Sequence, residues 1–265
     1  MAVIGVQRYF KLLQNVSNPW SYWQDKIKPA SEIAFITRPN RITVRVPKRL
    51  MLIFKEIFLS DVYAIDDLKK NLSENSVVVD IGANVGFFSM LVLSKVKVKK
   101  VFAFEPIPSN LEIFQRTIAA NPILQNSLVL TQAAVTGKPQ SHLELHLDGT
   151  NELTENASVF SGFESTHSVR INVPSITFSE IFQKHKLEQI DFLKMDCEGS
   201  EFDIIYNTDP ILLKRIKKMM VEVHDIEGDK KNNVDYFSNY IKSLGFTSTF
   251  ERLSKRSHVL IAHRS

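Results

Sequence analysis

The stretch Val77-Val-Val-Asp-Ile-Gly-Ala-Asn-Val-Gly86 decides the predicted fold of this 265-residue chain. It opens with an apolar, largely β-branched run, which is typical of a strand that is covered on both faces. Gly82 and Gly86 follow in a turn, where glycine allows a ligand to approach the backbone closely. The apolar residues after Gly86 predict a helix whose first N–H groups are free to bind an anionic group. By itself the Gly-x-x-x-Gly spacing is weak evidence, because dinucleotide-binding folds use Gly-x-Gly-x-x-Gly.

Further β-branched or aromatic runs follow this stretch, with helix-period segments between them. Repeated strand–helix units of this kind predict an α/β fold with a mostly parallel sheet. Helices are predicted over residues 87–94, after Ser109, after Thr177 and over 200–208, and Ser109 and Thr177 each begin a capping-box pattern. The predicted strands are Val77–Ile81, Lys100–Phe104, Leu128–Val135, Ile190–Met195, Met219–Val223 and His258–Ala262.

Two regions interrupt this alternation. Residues 1–75 combine predicted helices over 3–16 and 50–65 with an alternating, strand-like stretch from Arg41 to Val46. The second region is polar and runs from Asp148 to Val173, after a predicted strand over residues 141–147. Long segments of this kind in compact domains are usually binding loops, lids or disordered.

An acidic residue closes the second predicted strand. Glu105 follows the run from Lys100 to Phe104 and lies 25 positions after Asp80 (105 − 80). A carboxylate at this place, about 20 residues beyond a glycine turn, accepts hydrogen bonds from ribose hydroxyls. Pro106 then sets the direction of the chain, and Asn110 begins the next predicted helix. A solvated carboxylate at a strand end is the simpler alternative for Glu105.

The fourth predicted strand ends in a turn rich in carboxylates. Asp196, Glu198 and Glu201 follow the run from Ile190 to Met195. Carboxylates this close repel one another unless a cation or a proton compensates them, and that cost is usually tolerated at functional sites. In an open α/β sheet, ligands bind beyond the carboxyl ends of the strands at which the strand order reverses. Asp196 is therefore expected to face the glycine turn across a crevice.

Three segments, in this order, carry a family resemblance: Asp80-Ile-Gly-Ala-Asn-Val-Gly86, Glu105-Pro-Ile-Pro-Ser-Asn110 and Lys194-Met-Asp-Cys-Glu-Gly-Ser-Glu201. Together they resemble the FkbM-type methyltransferases, a branch of the class I S-adenosylmethionine-dependent fold. The resemblance covers about residues 50–250. It implies a Rossmann-like fold, with a mostly parallel seven-stranded sheet and helices on both faces. It also implies an enzyme that uses S-adenosylmethionine as its methyl donor.

The resemblance assigns a role to each matching residue. Residues of the glycine turn would line the methionine end of the cofactor, above Asp80: Gly82, Ala83, Asn84 and Gly86. Residues after the second and third strands would line the adenosine, with Glu105 on the ribose hydroxyls and Ala134 near the adenine: Glu105, Pro106, Asn110 and Ala134. Asp196 occupies the acceptor-side position that this fold uses for catalysis.

Methyl transfer to a hydroxyl oxygen is an in-line displacement, which benefits from aligned reactants and from a base. Asp196 is predicted as this base and His224 as the second candidate, although a neutral imidazole satisfied at a strand end is equally consistent with the sequence. Glu198 and Glu201 are further candidates, and carboxylates also stabilise a helix N-terminus. Asp196, Glu222 and His224 have the chemistry to hold a divalent cation. Nothing in their spacing requires one, so no metal is predicted.

The predicted acceptor is a hydroxyl group on a small metabolite, such as a sugar or a polyketide. Amino-methylating nucleic-acid enzymes of this fold carry an Asn/Asp-Pro-Pro-aromatic turn after the fourth strand, whereas this chain has Asp196-Cys-Glu-Gly199 there. Two alternatives stay open: an RNA or other nucleic-acid methyltransferase that uses a basic N-terminal region, and a catalytically silent binding domain. The presence of Asp80, Glu105 and Asp196 disfavours the silent domain.

The excess positive charge lies near the N-terminus. Residues 1–75 contain 12 Lys/Arg and 7 Asp/Glu (12 − 7 = +5), whereas the remainder contains 21 and 22 (21 − 22 = −1). We therefore predict an N-terminal extension over residues 1–75, which caps the acceptor side and favours an anionic acceptor, and a cofactor-binding domain over residues 76–265. The stretch from Arg38 to Arg49 is also typical of an edge strand protected by charge, so nucleic acid is the less favoured partner.

The overall composition is that of a folded domain. Hydrophobic residues make up 44% and charged residues 23% of the chain, so disorder is excluded as the general state. The single cysteine, Cys197, excludes an intramolecular disulfide and is typical of a reducing compartment. No apolar run approaches the roughly 18–20 residues of a membrane span, and no signal peptide is indicated. We therefore predict a cytoplasmic protein, and nothing in the sequence indicates its oligomeric state.

Overall fold

The computed structural model describes residues 5–28, 30–148, 157–158 and 168–264. The helices in these ranges are α1 (Gln7–Asn15), α2 (Trp20–Ile27), α3 (Met51–Phe58), α4 (Ile65–Asn71), α5 (Phe87–Lys95), α6 (Pro108–Ala119), α7 (Phe178–Lys184), α8 (Glu201–Asn207), α9 (Pro210–Leu213) and α10 (Val234–Ser243). The strands are β1 (Glu32–Ile36), β2 (Thr43–Pro47), β3 (Val77–Ile81), β4 (Lys100–Phe104), β5 (Leu128–Thr131), β6 (Ala134–Thr136), β7 (His142–Asp148), β8 (Ala157–Ser158), β9 (Ser168–Thr177), β10 (Ile190–Met195), β11 (Ile216–His224), β12 (Thr247–Arg252) and β13 (Ser257–His263).

A seven-stranded sheet has the order β12-β13-β11-β10-β3-β4-β5. Its central strand β10 pairs in parallel with β3 on one side and β11 on the other, whereas β13 pairs antiparallel with β11 and β12. The strand order reverses between β3 and β10, since β4 and β5 continue on one side of β3 and β10 starts the other side. The predicted mostly parallel α/β fold is therefore confirmed, and so is its switch point between the first and fourth predicted strands.

The core of this sheet explains why the predicted strands are so apolar. Val78, Val79 and Ile81 of β3 are buried, as are Phe192, Leu193 and Met195 of β10. The helix after the glycine turn, α5, is buried from Phe87 to Ser94. In a strand or helix that is covered on all sides, the apolar side chains are removed from water. Each large side chain that is buried in this way stabilises the fold by about 1.5–3 kcal/mol.

A smaller sheet has the order β6-β9-β7-β8. The single strand predicted over residues 128–135 is wrong in this respect, because β5 belongs to the large sheet and β6 to the small one. Ala134, Leu145 and Val173 form the core of the small sheet. The predicted loop over residues 148–173 is wrong at its end, where β9 begins at Ser168 and pairs with β7. Residues 149–156 and 159–167 lie outside the described part of the chain.

The described residues form two compact units. One contains residues 5–28, 30–76, 85–101 and 112–129, and the other contains residues 77–84, 102–111, 130–148, 157–158 and 168–264. The second unit contains the site residues Gly82, Glu105, Lys194, Asp196 and His224. The division predicted from the sequence, between residues 75 and 76, stays a prediction.

The N-terminal part of the first unit contains α1 to α4 and the hairpin of β1 and β2. The predicted helix over residues 50–65 is wrong in its length, because α3 ends at Phe58, and Asp61 and Ala64 have positive φ angles of 52° and 48° before α4 begins. A left-handed backbone at non-glycine residues breaks a helix. Within the described ranges, no helix combines the length and the apolar character that crossing a membrane requires.

Candidate active site

The glycine turn lies directly against the turn that follows β10. Gly82 has a φ angle of +70°, and a Cβ atom at this position would lie 1.7 Å from the carbonyl oxygen of Asp196. The Asp196 N–H also donates to the Ile81 carbonyl, at 3.1 Å. The structure therefore brings Gly82 and Asp196 together at the predicted switch point, but their backbones are in direct contact and do not face each other across a crevice. Any side chain at position 82 would push the two turns apart.

The rest of the glycine turn is held by the end of β4. The N–H groups of Gly82 and Ala83 both donate to the Phe104 carbonyl, at 3.1 and 3.0 Å. Asn84 adopts a φ angle of +51°, which turns its N–H towards Glu105. Gly86 follows with a φ angle of +85°, and a Cβ atom there would lie 2.3 Å from the ring of Phe114. Close packing and the positive φ angles of the turn thus both require glycine at these two positions.

Glu105 is a buried carboxylate that accepts three hydrogen bonds. Its Oε2 accepts from the Asn84 N–H at 2.8 Å, and its Oε1 accepts from the Ile107 N–H at 3.0 Å and from Nδ2 of Asn110 at 3.2 Å. Burial raises the pKa of Glu105 to about 7, although these three donors oppose the increase. Oε2 keeps an acceptor position, because each carboxylate oxygen has two lone pairs. Oδ1 of Asn110 is a second buried acceptor, and it has no hydrogen-bond partner among the described residues.

Lys194 is a buried cation at the centre of the site, and the sequence analysis gave it no role. Its Nζ donates to the Gly82 carbonyl at 2.6 Å and lies 3.5 Å from Oδ1 of Asp80 and 3.8 Å from Oδ2 of Asp196. Lys194 and Asp196 lie two positions apart at the end of β10, so strand alternation places them on one face. That spacing is the signal from which the Lys194–Asp196 pair could have been predicted.

A cluster of carboxylates surrounds the imidazole of His224 at the end of β11. Nδ1 of His224 lies 3.1 Å from Oε1 of Glu201, and Nε2 lies 3.5 Å from a carboxylate oxygen of Glu198 and of Glu222. Glu201 is fully buried and also accepts hydrogen bonds from the N–H groups of Cys197 and Gly199, at 3.0 and 2.9 Å. Both ring nitrogens therefore face carboxylates.

The surroundings separate the pKa values of these groups. Burial acts to lower the pKa of His224, but the carboxylates of Glu201 and Glu222 outweigh it and raise the value to about 12. Burial raises the pKa of Asp196 to about 6, against the attraction of Lys194. It also raises the pKa of Glu198 to about 7, against the attraction of His224. At neutral pH His224 is thus an imidazolium, while Asp196 and Glu198 titrate near neutrality.

The donor set of the cluster has the chemistry of a cation site. Oxygen and nitrogen atoms of Asp196, Glu198 and His224 all lie within 4.8 Å of one another. Of the three residues that the sequence suggested as metal ligands, Glu222 is not in this group. Because both nitrogens of His224 face carboxylates, the imidazolium itself supplies a positive charge to the cluster.

Three further residues were predicted to bind the cofactor: Pro106, Asn110 and Ala134. Pro106 follows Glu105 in the chain, and Asn110 lies in α6 beneath Glu105. The side chain of Ala134 is packed in the core of the small sheet with Leu145 and Val173, and its place near the adenine stays a prediction. Its neighbour Ala133 instead lines an open cavity of about 590 Å³, together with Thr131 and Gln132.

Comparison with known proteins agrees with this geometry. Residues 80–248, more than half of the chain, match the model of the methyltransferase FkbM domain. The chain is 28% identical over 200 residues to methyltransferase sdnD of Sordaria araneosa, covering 66% of this chain and 75% of that protein. It is 24% identical over 197 residues to 31-O-demethyl-FK506 methyltransferase FkbM of Streptomyces tacrolimicus, covering 66% and 75%.

A solved structure gives a weaker likeness. The crystal structure of methyltransferase FkbM from Methylobacillus flagellatus matches with a TM-score of 0.46 and 13% identity, covering 81% of this chain and 54% of that chain.

The residues present fit the cofactor of this family. Ribose hydroxyls are donors, and the buried oxygens of Glu105 and Asn110 are acceptors with lone pairs to spare. Beside them, the strand order of the large sheet places the glycine turn and Asp196 where an open α/β sheet binds its ligand. The matched domain includes all of these residues, and the chain belongs to the FkbM methyltransferase family, whose cofactor is S-adenosylmethionine.

Proposed function

We propose that this chain transfers the methyl group of S-adenosylmethionine to a hydroxyl oxygen of a small metabolite. The observation that supports the proposal is the backbone contact between the two turns at Gly82 and Asp196. The Asp196 carboxylate also lies 3.8 Å from Nζ of Lys194, which donates to the Gly82 carbonyl. A relative whose name specifies O-methyl chemistry, 31-O-demethyl-FK506 methyltransferase FkbM, supports oxygen as the acceptor atom.

The cofactor supplies an electrophilic methyl group on a sulfonium sulfur. In this proposal the backbone of Gly82, Ala83 and Asn84 binds its methionine end. Glu105 accepts hydrogen bonds from its ribose hydroxyls through the free position of Oε2, and Asn110 accepts through Oδ1. Lys194 attracts the carboxylates of Asp80 and Asp196, offsets one of their two charges and keeps the Gly82 carbonyl in place. The turn is thus set before the cofactor enters, which reduces the ordering cost of binding.

Asp196 is the proposed base. It accepts the proton of the acceptor hydroxyl at a carboxylate oxygen as that hydroxyl oxygen is methylated. A base is most effective when its pKa lies near the operating pH, and burial raises the pKa of Asp196 to about 6. Its side chain is 27% exposed, so a hydroxyl can reach it.

His224 takes a different role from the one that the sequence suggested as second choice. Because its pKa is raised to about 12 by the surrounding carboxylates, it carries a proton at neutral pH and is a poor base. We assign it the role of a fixed cation that holds Glu198, Glu201 and Glu222 around the turn. Glu198, whose pKa is raised to about 7, is the second candidate for the base.

The test combines cofactor binding with turnover. Calorimetry with S-adenosylmethionine and with its demethylated product measures cofactor binding, and a methyl-labelled cofactor with a small-molecule extract measures transfer to metabolites. Asp196→Asn should lower transfer by about 10²–10⁴-fold with little change in cofactor affinity. Glu188→Gln, which changes an exposed carboxylate of the same unit, is the matched control. If neither cofactor form binds the wild type, the proposal fails, and unchanged transfer by Asp196→Asn moves the base to Glu198.

A further inference from the structure

The first two helices expose a large apolar surface. Val6, Phe10 and Leu13 lie at helical spacing along α1 and at its start, with exposed fractions of 72%, 62% and 45%. On α2, Trp20 and Ile27 are 73% and 86% exposed and lie seven residues apart, on one face of the helix. Contiguous exposed apolar patches of this kind mark interaction surfaces in folded proteins.

Aromatic contacts join the two helices into one surface. The ring of Tyr9 on α1 stacks on Trp23 of α2, with centroids 6.2 Å apart, and meets Tyr22 edge-on at 6.3 Å. Trp23 in turn contacts Trp20, at 5.6 Å. We call this set the N-terminal aromatic surface: Val6, Tyr9, Phe10, Leu13, Trp20, Tyr22, Trp23 and Ile27.

Cations border this surface, and a lysine of α1 offsets one of two nearby carboxylate charges. Nζ of Lys55 lies 5.6 Å from the centre of the Tyr22 ring, and the guanidinium of Arg38 lies 3.5 Å from the Leu13 carbonyl at the end of α1. Asp61 and Asp66 are both bound by Lys11 of α1, at 2.6 and 2.7 Å. The surface therefore presents aromatic and aliphatic groups with Lys55 and Arg38 at its border, in a stretch, residues 1–75, whose net charge is +5 (12 − 7).

We propose that the N-terminal aromatic surface docks on an anionic lipid membrane. Tryptophan and tyrosine prefer the interface between lipid headgroups and acyl chains, and short amphipathic helices with basic residues lie in that interface. With 9 and 8 residues, α1 and α2 are suited to lie on a bilayer and are too short to cross it. The proposal does not depend on the identity of the methyl acceptor.

The partly covered rings of Tyr22 and Trp23, together with the aliphatic side chains beside them, disfavour nucleic acid as the occupant. Binding of single-stranded nucleic acid needs exposed ring faces on which bases stack. Here one face of Trp23 is covered by Tyr9, and the Tyr22 ring has Lys55 over it. The exposed aliphatic side chains of Leu13 and Ile27 also have no counterpart in a phosphate backbone. They match the acyl region of a membrane.

Vesicle binding tests the proposal with a built-in probe. Trp20 and Trp23 are the two tryptophans of the chain and both belong to the surface, so the tryptophan emission reports on it alone. We expect the wild-type protein to cosediment with vesicles of phosphatidylcholine and phosphatidylglycerol, with emission shifted to shorter wavelength. Vesicles of phosphatidylcholine alone should bind it more weakly, by about fivefold for each basic residue that faces the lipid.

Two variants test which residues contact the membrane. Phe10→Ser/Leu13→Ser/Ile27→Ser keeps both tryptophans and should weaken vesicle binding by more than about tenfold, since three apolar side chains no longer enter the bilayer. Arg38→Glu should weaken only the binding to anionic vesicles. The matched control, Ile211→Ser/Leu253→Ser, removes two side chains that are 64% and 56% exposed elsewhere and should bind like the wild type.

Circular dichroism and binding of S-adenosylhomocysteine show whether each variant is folded. The proposal is overturned if the wild type ignores both kinds of vesicle, or if the control loses binding as strongly as the triple variant. It is also overturned if light scattering shows that the surface mediates association between copies of the chain, with vesicle binding unchanged by the triple variant.

Discussion

Gly82 is the residue on which the site geometry depends most directly. It combines a φ angle of +70° with a backbone approach that leaves no room for a Cβ atom. A non-glycine residue pays about 1–2 kcal/mol for a left-handed backbone, and here the clash with the Asp196 carbonyl is added. We therefore expect Gly82→Ala to lower the free energy of unfolding by more than about 2 kcal/mol and to abolish cofactor binding, as measured by urea denaturation and calorimetry.

Gly228 offers a matched control for that substitution. Its φ angle of +81° is similar, but nothing lies within 4 Å of an added Cβ atom. Gly228→Ala should therefore show the conformational cost alone, about 1 kcal/mol, with cofactor binding intact. Equal losses in the two variants would show that the close approach of the turns contributes nothing.

Lys194 lowers the pKa of Asp196 by attraction, so its removal should raise that pKa above its value of about 6. We expect Lys194→Met to shift the acid limb of the turnover profile to higher pH, because a base with a higher pKa is protonated over a wider range. Turnover measured from pH 5 to pH 9 with a labelled cofactor checks the shift. Lys242→Met, at an exposed lysine of α10, should leave the profile in place.

Glu105 should make cofactor binding depend on pH. Its pKa is raised to about 7 in the free protein, and ribose hydroxyls donate to its ionised form. Binding therefore lowers this pKa and releases a proton, so the affinity for S-adenosylhomocysteine should rise as pH increases from about 6 to 8. Calorimetry in buffers of different ionisation enthalpy measures the proton release. With Glu105→Gln the affinity should be weaker and independent of pH, and a slope that survives this change would assign the proton to another group.

At the scale of elements, the turn between β10 and α8 is organised by one buried side chain. Glu201 satisfies the N–H groups of Cys197 and Gly199 and also faces His224. Removal of the Glu201 carboxylate leaves the His224 imidazolium and the two N–H groups without this acceptor. Removing one partner of a buried ion pair lowers the stability by about 3–5 kcal/mol. We expect this loss in the unfolding free energy of Glu201→Ala, measured by urea denaturation.

Two further variants are compared with Glu201→Ala: one that removes only the charge of Glu201, and one at an exposed glutamate. Glu201→Gln keeps an acceptor oxygen and the shape of the side chain, so it should lose less stability than Glu201→Ala. The exposed Glu188→Ala should stay within about 0.5 kcal/mol of the wild type. A stable Glu201→Ala variant with unchanged turnover would show that the turn is held by other contacts.

Of the two predicted capping residues, Thr177 begins its helix as predicted, whereas Ser109 lies inside α6. The capping box of Thr177 and Glu180 is present at the start of α7, with both reciprocal hydrogen bonds formed. In contrast, the apolar run over residues 128–135 was predicted as one strand, and the structure divides it between two sheets. Pairing partners determine that division, and they lie elsewhere in the chain: Ala134 pairs with Ser175.

At the scale of the whole molecule, cofactor binding should appear as stabilisation. A ligand that binds only the folded state adds about 2.7 kcal/mol at 100 times its dissociation constant. For a chain of this size we expect the thermal midpoint to rise by about 5–10 °C with S-adenosylhomocysteine at that excess, as measured by calorimetry. Adenosine monophosphate, which lacks the methionine portion, should give a smaller shift, and no shift with either compound would contradict the cofactor assignment.

The charge distribution of the molecule is clearer in the structure than in the sequence. Part of the basic charge is offset inside the first unit, since Arg45 pairs with Glu32 at 3.1 Å. The expected anionic acceptor stays a prediction. Neutralising Arg41, which is exposed, should weaken binding of an anionic acceptor if the prediction holds.

The α/β fold, the positions of the central strands and the segments that carry the site could be predicted from local signals in the sequence. Burial patterns, glycine turns and capping residues are local signals, and the alternation of strands and helices leaves few topologies. Glu105 and Asp196 could be assigned because they follow predicted strands directly.

The charge states and the neighbours of the site residues depend on contacts between distant parts of the chain. Lys194 donates to the Gly82 carbonyl, 112 positions away in the sequence, and His224 contacts Glu201, 23 positions away. Local sequence spacing therefore predicts neither contact. The same holds for Ala134, which is buried in the small sheet, and for the aromatic surface, whose rings come from two helices. Electrostatic and packing energies depend on distance through space, and the fold alone sets those distances.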